Sequence, residues 1–507
     1  MAAIQAVSAA KAALAEMRSA KGCVASINRS YPPAFRKAES AAAPPKPPMR
    51  TGTGCTAGFS VRPASDNKTS RSSRAASASA SSRASLVPPR IKMRGRPMSD
   101  VAPASGQRWL TIIGIGEDGP EGLGEEAKRL IATAPAVFGG VRHHALAASL
   151  ITGEKLSWQS PFERSVEAIL ERRGTPVVVL ASGDPFLYGV GATLSRHVAA
   201  EEMCTIPAPS AFSLAASRLG WPLQEVATIS LHGRPIDLIR PHLHPGRRII
   251  ALTSDEKGSG DLAALLTAAG FGQSQLTVLE ALGGARERQR SVLAADFDLL
   301  DIDPLNVCAL EIAAGEGARI LPFTAGLEDE LFEHDGQITK REIRAMTLSA
   351  LAPRHGELLW DIGAGSGSIG IEWMLADPSL KAIALEQSPE RAARVARNAS
   401  AFGVPHLAVV EGAAPLALKG LPEPDVIFLG GGGSEPGVID TAIAALKRGG
   451  RLVANAVTLE MEAVLLAEHA KRGGFLTRIE ISRAQPVGGM SGWRPAMPVT
   501  QWRWTKG

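Results

Sequence analysis

Asp361-Ile362-Gly363-Ala364-Gly365-Ser366-Gly367 closes an apolar run over residues 357–362 and opens a helical stretch over 368–375. Strand, glycine turn and helix in that order begin a βαβ unit: bare backbone can approach a nucleotide, and the helix N-terminus presents its positive dipole end. Gly365, Gly367 and Gly370 also satisfy the Gly-x-Gly-x-x-Gly spacing of dinucleotide sites. The next apolar run, 382–385, ends on Glu386, 19 residues beyond Gly367, where a carboxylate binds ribose hydroxyls. Ser388-Pro389-Glu390 supplies an N-cap, a first-turn proline and an early acid, which completes the unit. This much suits a methyl-donor nucleoside and a nicotinamide cofactor equally.

The downstream segments separate the two. Val410-Glu411-Gly412-Ala413-Ala414-Pro415, then the strand 424–431, then Lys447-Arg448-Gly449-Gly450-Arg451 leading into a further strand, resemble the class I methyltransferase fold and not a dehydrogenase. Upstream, residues 336–351 are expected to be helical with Thr339 as N-cap. Ile343, Met346, Ala350 and Leu351 then fall on one face, and Lys340, Arg341 and Arg344 on the other. That basic face is either solvated or a wall for a polyanionic substrate. With Thr339-Lys340-Arg341-Glu342-Ile343-Arg344 and Asn455-Ala456-Val457-Thr458-Leu459-Glu460, residues 332–507 resemble the decarboxylating precorrin methyltransferase family throughout. The resemblance implies S-adenosylmethionine contacts at Thr339, Gly363, Ala364, Gly365, Ser366, Gly367, Glu386 and Ala414. Two positions depart from the family pattern. Ala413 stands where an acid is common, on the adenine side, and Met497-Pro498-Val499 replaces a frequent Asn-Pro-Val.

Residues 107–313 carry five further pieces. An apolar run over 109–115 ends in Gly114-Ile115-Gly116 and precedes a helical stretch over 125–134. A buried-strand pattern over 176–180 runs into Ser182-Gly183-Asp184-Pro185, and the proline fixes an extended loop at the strand's carboxyl end. Ser210 is expected to cap a helix that stops at Gly220. Ser230-Leu231-His232-Gly233-Arg234 and Glu280-Ala281-Leu282-Gly283-Gly284 are two more strand-to-loop transitions. In this order the pieces resemble the tetrapyrrole methylase family, in its precorrin-6Y methylase branch. The resemblance implies cofactor contacts at Gly114, Gly116, Asp184, Leu187, Ser210 and Ala211, and substrate contacts near Arg142, His232 and Arg234.

The expected fold is therefore α/β throughout. An N-terminal class III tetrapyrrole methylase of two α/β subdomains is followed by a connector over 314–331 and a C-terminal class I Rossmann-like S-adenosylmethionine methyltransferase. A chain of 507 residues, 45% hydrophobic, is long enough for these cores. The first 100 residues hold 17 basic side chains against four acids, or +13, whereas the whole chain is +5, so the remaining 407 residues sum to −8. The high isoelectric point thus belongs to the tail and argues poorly for a nucleic-acid partner. The tail over 1–106 is Ala/Ser/Arg/Pro-rich and is expected to be disordered. It also reads as a transit peptide or as a start placed too early, with Met98 the preferred start. Four scattered cysteines and no apolar run near 20 residues point to a reducing, cytoplasmic setting with no membrane and no metal site.

The fusion of the two resemblances implies S-adenosylmethionine at one site per module and a small-molecule tetrapyrrole substrate. Precorrin-6Y would be methylated at carbons 5 and 15 with loss of an acetate carboxyl group, giving precorrin-8X in cobalamin biosynthesis. Methylation of RNA or protein, a nicotinamide-binding redox module and one non-catalytic module are the competing readings. A homo-oligomer is left open. No catalytic acid or base is named, because an electrophilic sulfonium and an enamine-like macrocycle need alignment more than proton transfer. Lys340, Arg341, Arg344 and Arg234 are the cations expected to meet carboxylates.

Overall fold

The computed structural model describes residues 108–507; the tail reading and the Met98 start lie outside them. Residues 110–182 alternate β1 (Leu110–Ile115), α1 (Glu125–Thr133), β2 (Ala136–Gly139), α2 (Val141–Leu146), β3 (Glu154–Ser157), α3 (Glu163–Leu170) and β4 (Val177–Ser182). Parallel strands buried on both faces read as continuous apolar runs; β1, β2 and β4 follow that rule, whereas the edge strand β3, Glu-Lys-Leu-Ser, is mostly exposed. After α4 (Val190–Leu194), β5 (Met203–Ile206) completes a parallel sheet of order β3-β2-β4-β1-β5. Leu110 and Ile112 point to one face and Ile113 and Ile115 to the other, each into its own apolar cluster.

The helix α5 (Ala211–Leu219) leads to the second subdomain. Ser210 Oγ accepts from Ser213 N at 3.1 Å, and Gly220 stops the helix at φ 66°, as the sequence predicts. The strands β6 (Val226–Ser230) and β7 (Arg248–Leu252), the helix α6 (Gly258–Ala268), and β8 (Gln275–Glu280), β9 (Arg288–Leu293) and β10 (Asn306–Glu311) form a mixed sheet of order β6-β7-β10-β8-β9.

The second module begins with α7 (Arg341–Leu351) and runs through β11 (Leu358–Ile362), α8 (Ser368–Ala376), β12 (Lys381–Glu386), α9 (Pro389–Ala401), β13 (Ala408–Glu411), β14 (Val426–Leu429), α10 (Val438–Ala445), β15 (Arg451–Ala456) and α11 (Leu459–Arg472). The last four strands are β16 (Phe475–Ile479), β17 (Ser482–Val487), β18 (Met490–Pro495) and β19 (Val499–Thr505). The sheet order is β13-β12-β11-β14-β15-β19-β16, with β19 inserted antiparallel between β15 and β16. The β17–β18 pair stands apart as a hairpin.

Residues 314–331 are short of regular structure but not slack. Ala318 packs on the core of the second subdomain, Arg319 stacks over Phe402 at 4.4 Å, and Leu321 and Leu327 belong to the core of the second module. A turn of the first module, at Asp237 and Pro241, also meets Gly403 just past α9, where a Cβ would lie 2.4 Å from Pro241 Cδ. No helix among the described residues is long and apolar enough to cross a membrane.

Candidate functional site

The second-module cavity, of about 1210 Å³, opens at the carboxyl ends of β11, β12 and β14. Its floor is the loop 363–367. Gly363 takes φ 73°, and a Cβ there would fall 2.6 Å from Gly431 O, so only glycine lets this loop cross the one after β14. The loop is then fixed by Glu386, whose buried carboxylate accepts from Gly365 N at 2.8 Å and Ser388 N at 3.0 Å. Thr339, Lys340, Gly363, Ala364, Gly365, Glu386 and Ala414 all line the cavity. Ser366 and Gly367 do not: Ser366 is buried beneath the loop, its carbonyl accepting from Asn398 Nδ2 at 2.9 Å, and Gly367 packs on Val395. The backbone cradle and the carboxylate at its rim fit an adenosyl group, which presents ribose hydroxyls to an acid and a flat base to apolar walls.

Behind the cradle, Asp361 is buried. Burial pushes its carboxyl up to about 7; the Gly370 amide, donating at 3.0 Å, opposes this, and the Glu386 charge adds to it. Asp361 has no site role in the sequence reading, and neither do Asn455, in β15, and Thr458, just after it, which both line the cavity.

Three expectations for 336–351 are corrected. Thr339 is not the N-cap: the helix starts at Arg341 after an extended Lys340 with no side-chain cap, and the Thr339 carbonyl accepts from Arg344 Nη1 at 2.5 Å. Arg344 does not face a substrate. It is 0% exposed, donates to Glu372 Oε1 at 2.5 Å, Asp329 Oδ1 at 3.0 Å and the Leu327 carbonyl, and stacks over Phe332. Arg341 turns to Glu328 and the Gly326 carbonyl and stays off the cavity wall. The buried face is Arg344, Thr347, Leu348 and Leu351, while Met346 is 43% exposed. Of the three cations only Lys340 reaches the cavity, with Asp329 3.7 Å from its Nζ.

The first-module cavity, of about 330 Å³, lies at the carboxyl ends of β1 and β4 and is walled by α2 and residues of the second subdomain. Gly116, Arg142, Asp184, Leu187, Ser210, Ala211 and His232 line it. Asp184 Oδ1 accepts from Phe186 N at 2.8 Å, which shapes the loop so that backbone faces the cavity. Gly114 is a correction. It does not line the cavity, and a Cβ there would lie 1.9 Å from Gly183 O and 2.6 Å from Ala208 N, so it serves a backbone crossing. Arg234 is another: its guanidinium sits 5.3 Å from the centre of the Tyr188 ring and off the cavity wall. Ser182, His143 and Glu117 line the cavity without having been singled out.

Two cavities with no lining residue in common, each at the carboxyl edge of its own α/β sheet, define a bimodular α/β protein with a cleft at each sheet's ligand-binding edge. Residues 109–298 match the family Tetrapyrrole (Corrin/Porphyrin) Methylases, and residues 330–506 match the Precorrin methyltransferase domain. The chain is 69% identical over 413 residues to the precorrin-6Y C(5,15)-methyltransferase [decarboxylating] of a Sinorhizobium species, covering 81% of this chain and 100% of that one. It is 41% identical over 402 residues to the protein of that name from Mycobacterium tuberculosis, covering 78% and 100%. A cobalt-precorrin-6B C(15)-methyltransferase (decarboxylating) from Salmonella typhimurium is 33% identical over 179 residues, covering 34% of this chain and 92% of that one. The chain belongs to the precorrin-6Y C(5,15)-methyltransferase [decarboxylating] family. That assignment sets the nicotinamide reading aside.

Proposed function

We propose that the two cavities carry the two halves of one S-adenosylmethionine-dependent reaction. In it precorrin-6Y is methylated at carbons 5 and 15 and loses an acetate carboxyl group, with one cofactor per module. The observation that carries this reading is that the two cavities share no wall, so each needs its own methyl donor. The Salmonella relative, named for carbon 15 and decarboxylation and covering 34% of this chain, supports giving those steps to the second module and carbon 5 to the first.

When bound, S-adenosylmethionine supplies an electrophilic methyl group on a sulfonium. The protein's part is alignment and exclusion of water. In the second module Gly363, Ala364 and Gly365 offer backbone to the cofactor, Glu386 takes the ribose, and Thr339 and Ala414 flank it. Lys340 and Arg483, on the same wall, are placed for substrate carboxylates. In the first module Gly116, Asp184, Leu187, Ser210 and Ala211 form the cofactor side, and Arg142 and His232 the substrate side. Loss of carbon dioxide breaks a carbon–carbon bond whose electron pair the methylated macrocycle accepts at an imine, so no side-chain base is required for that step.

The test is mass spectrometry of the product after anaerobic incubation with S-adenosylmethionine and precorrin-6Y. The native chain should add two methyl groups and lose one carbon dioxide. Glu386→Ala should retain the carboxyl group; decarboxylation at the native rate by that variant refutes the division of labour.

A further inference from the structure

Ser182 closes β4 at its carboxyl end, in register with Ile115 of β1. Two side chains of α2 converge on its hydroxyl oxygen. Arg142 Nη2 donates to Ser182 Oγ at 2.5 Å, and His143 Nε2 lies 2.9 Å from the same atom. The other ring nitrogen fixes the sense of the second contact. Gly140 N donates to His143 Nδ1 at 3.2 Å, so Nδ1 carries a lone pair and the neutral ring bears its proton on Nε2, directed to Ser182 Oγ at 2.9 Å and not to Arg142 Nη2, itself a donor, at 3.4 Å. Burial first, then the charges of Arg142 and His144, hold the ring neutral and push its pKa down to about 4.

A hydroxyl has two lone pairs and one hydrogen. Both lone pairs of Ser182 are taken, and no acceptor among the described residues takes the hydrogen, which is left the cavity that Ser182, Arg142 and His143 all line. Arg142 is paired with Glu117, which also lines the cavity, and the pair keeps its guanidinium beside the hydroxyl. A hydroxyl that only donates rejects ammonium and amide N–H groups, and beside a guanidinium it favours an anion.

We propose that Ser182 is the fixed donor of the first-module cavity to a carboxylate of its ligand, and that His143 is the positioning residue that sets its direction. The carboxylate belongs either to a side chain of the macrocycle or to the methionine end of the cofactor. The proposal rests on the reading that the first module methylates carbon 5.

The test uses the full chain and follows addition of the carbon-5 methyl group with each reactant varied in turn. Ser182→Ala should raise one KM by about 10- to 100-fold, the loss expected for a hydrogen bond to a charged group, with a smaller effect on kcat. A rise for the tetrapyrrole that receives the carbon-5 methyl group, supplied as such, assigns the carboxylate to the macrocycle, and a rise for S-adenosylmethionine assigns it to the cofactor. Neither KM moving overturns the proposal. His143→Phe should reproduce the Ser182→Ala effect, whereas His143→Gln, which keeps an N–H toward Oγ, should recover most of it; equal behaviour of the two overturns the positioning role. The species that accumulates in Ser182→Ala should carry one methyl group and lack the carboxyl group. If Ser182→Ala abolishes decarboxylation while Glu386→Ala leaves it intact, the division of labour fails while the KM result stands on its own.

Discussion

Arg344→Ala separates a buried structural cation from a substrate contact. The native side chain is fully buried and binds the Glu372 carboxylate at 2.5 Å, Asp329 at 3.0 Å and the carbonyls of Thr339 and Leu327. Truncation leaves Glu372 with the amides of Gly326 and Leu327, at 2.6 and 3.0 Å, as its remaining partners. Breaking a buried ion pair from one side costs about 3–5 kcal/mol, and the two orphaned carbonyls add to this less than additively. A loss of about 4 kcal/mol in a module of this size lowers its melting temperature by about 8–16 °C. Scanning calorimetry should show that fall in the second-module transition, and Glu372→Leu combined with Arg344→Met should recover part of it, since a matched apolar pair leaves no bare charge. A melting temperature within 2 °C of native, accompanied by weakened substrate binding, would refute the buried assignment and restore Arg344 to the cavity wall.

Asp361 should make the second module less stable as pH rises. Its folded pKa of about 7 lies above the ordinary aspartate value, so the native state holds the extra proton. Stability is then greatest near pH 4 and falls by up to about 4 kcal/mol as pH rises to 7. Denaturant midpoints of Asp361→Asn relative to native should diverge between pH 5 and pH 8; a constant difference contradicts the assignment. Calorimetric titration with S-adenosylhomocysteine should give two sites per native chain and one in Glu386→Ala, and two unchanged sites would remove Glu386 from the ribose. Gly114→Ala should destabilise the first module by roughly 1–3 kcal/mol through overpacking, since its Cβ would meet Gly183 O at 1.9 Å. A native melting curve for that variant would show that the β1 turn yields.

The fold was legible wherever local chemistry and global topology agree. Buried parallel strands write themselves as apolar runs, and Ser210, Gly220, Ser388 and Pro389 mark helix ends by chemistry that acts within a few residues. The face of α7 was misread because periodicity counts arginine as outward. Its partner Glu372 lies 28 residues away, on α8, and nothing in the spacing announces that pairing. Gly114 shows a second limit: a glycine needed for one backbone to cross another looks, in sequence, like a glycine that admits a ligand. His143 and Ser182 are 39 residues apart and meet only because β2, which precedes α2, lies beside β4 in the sheet. The insertion of β19 between β15 and β16 is likewise a tertiary choice, made by neither strand alone.

The connector leaves almost no leash. Ala318 is anchored in one core and Leu321 in the next, with Arg319 and Ile320 between them and Arg319 itself stacked on Phe402. Three residue steps reach at most about 11 Å. A delivery arm that carries its cargo by swinging needs far more rope than that, so this connector does not serve as one. The same tightness guides anyone cutting the gene in two: a break before Ala318 or after Leu321 takes a tooth from one core or the other, and of the three peptide bonds between them only Ala318–Arg319 also leaves Arg319 on the side of Phe402.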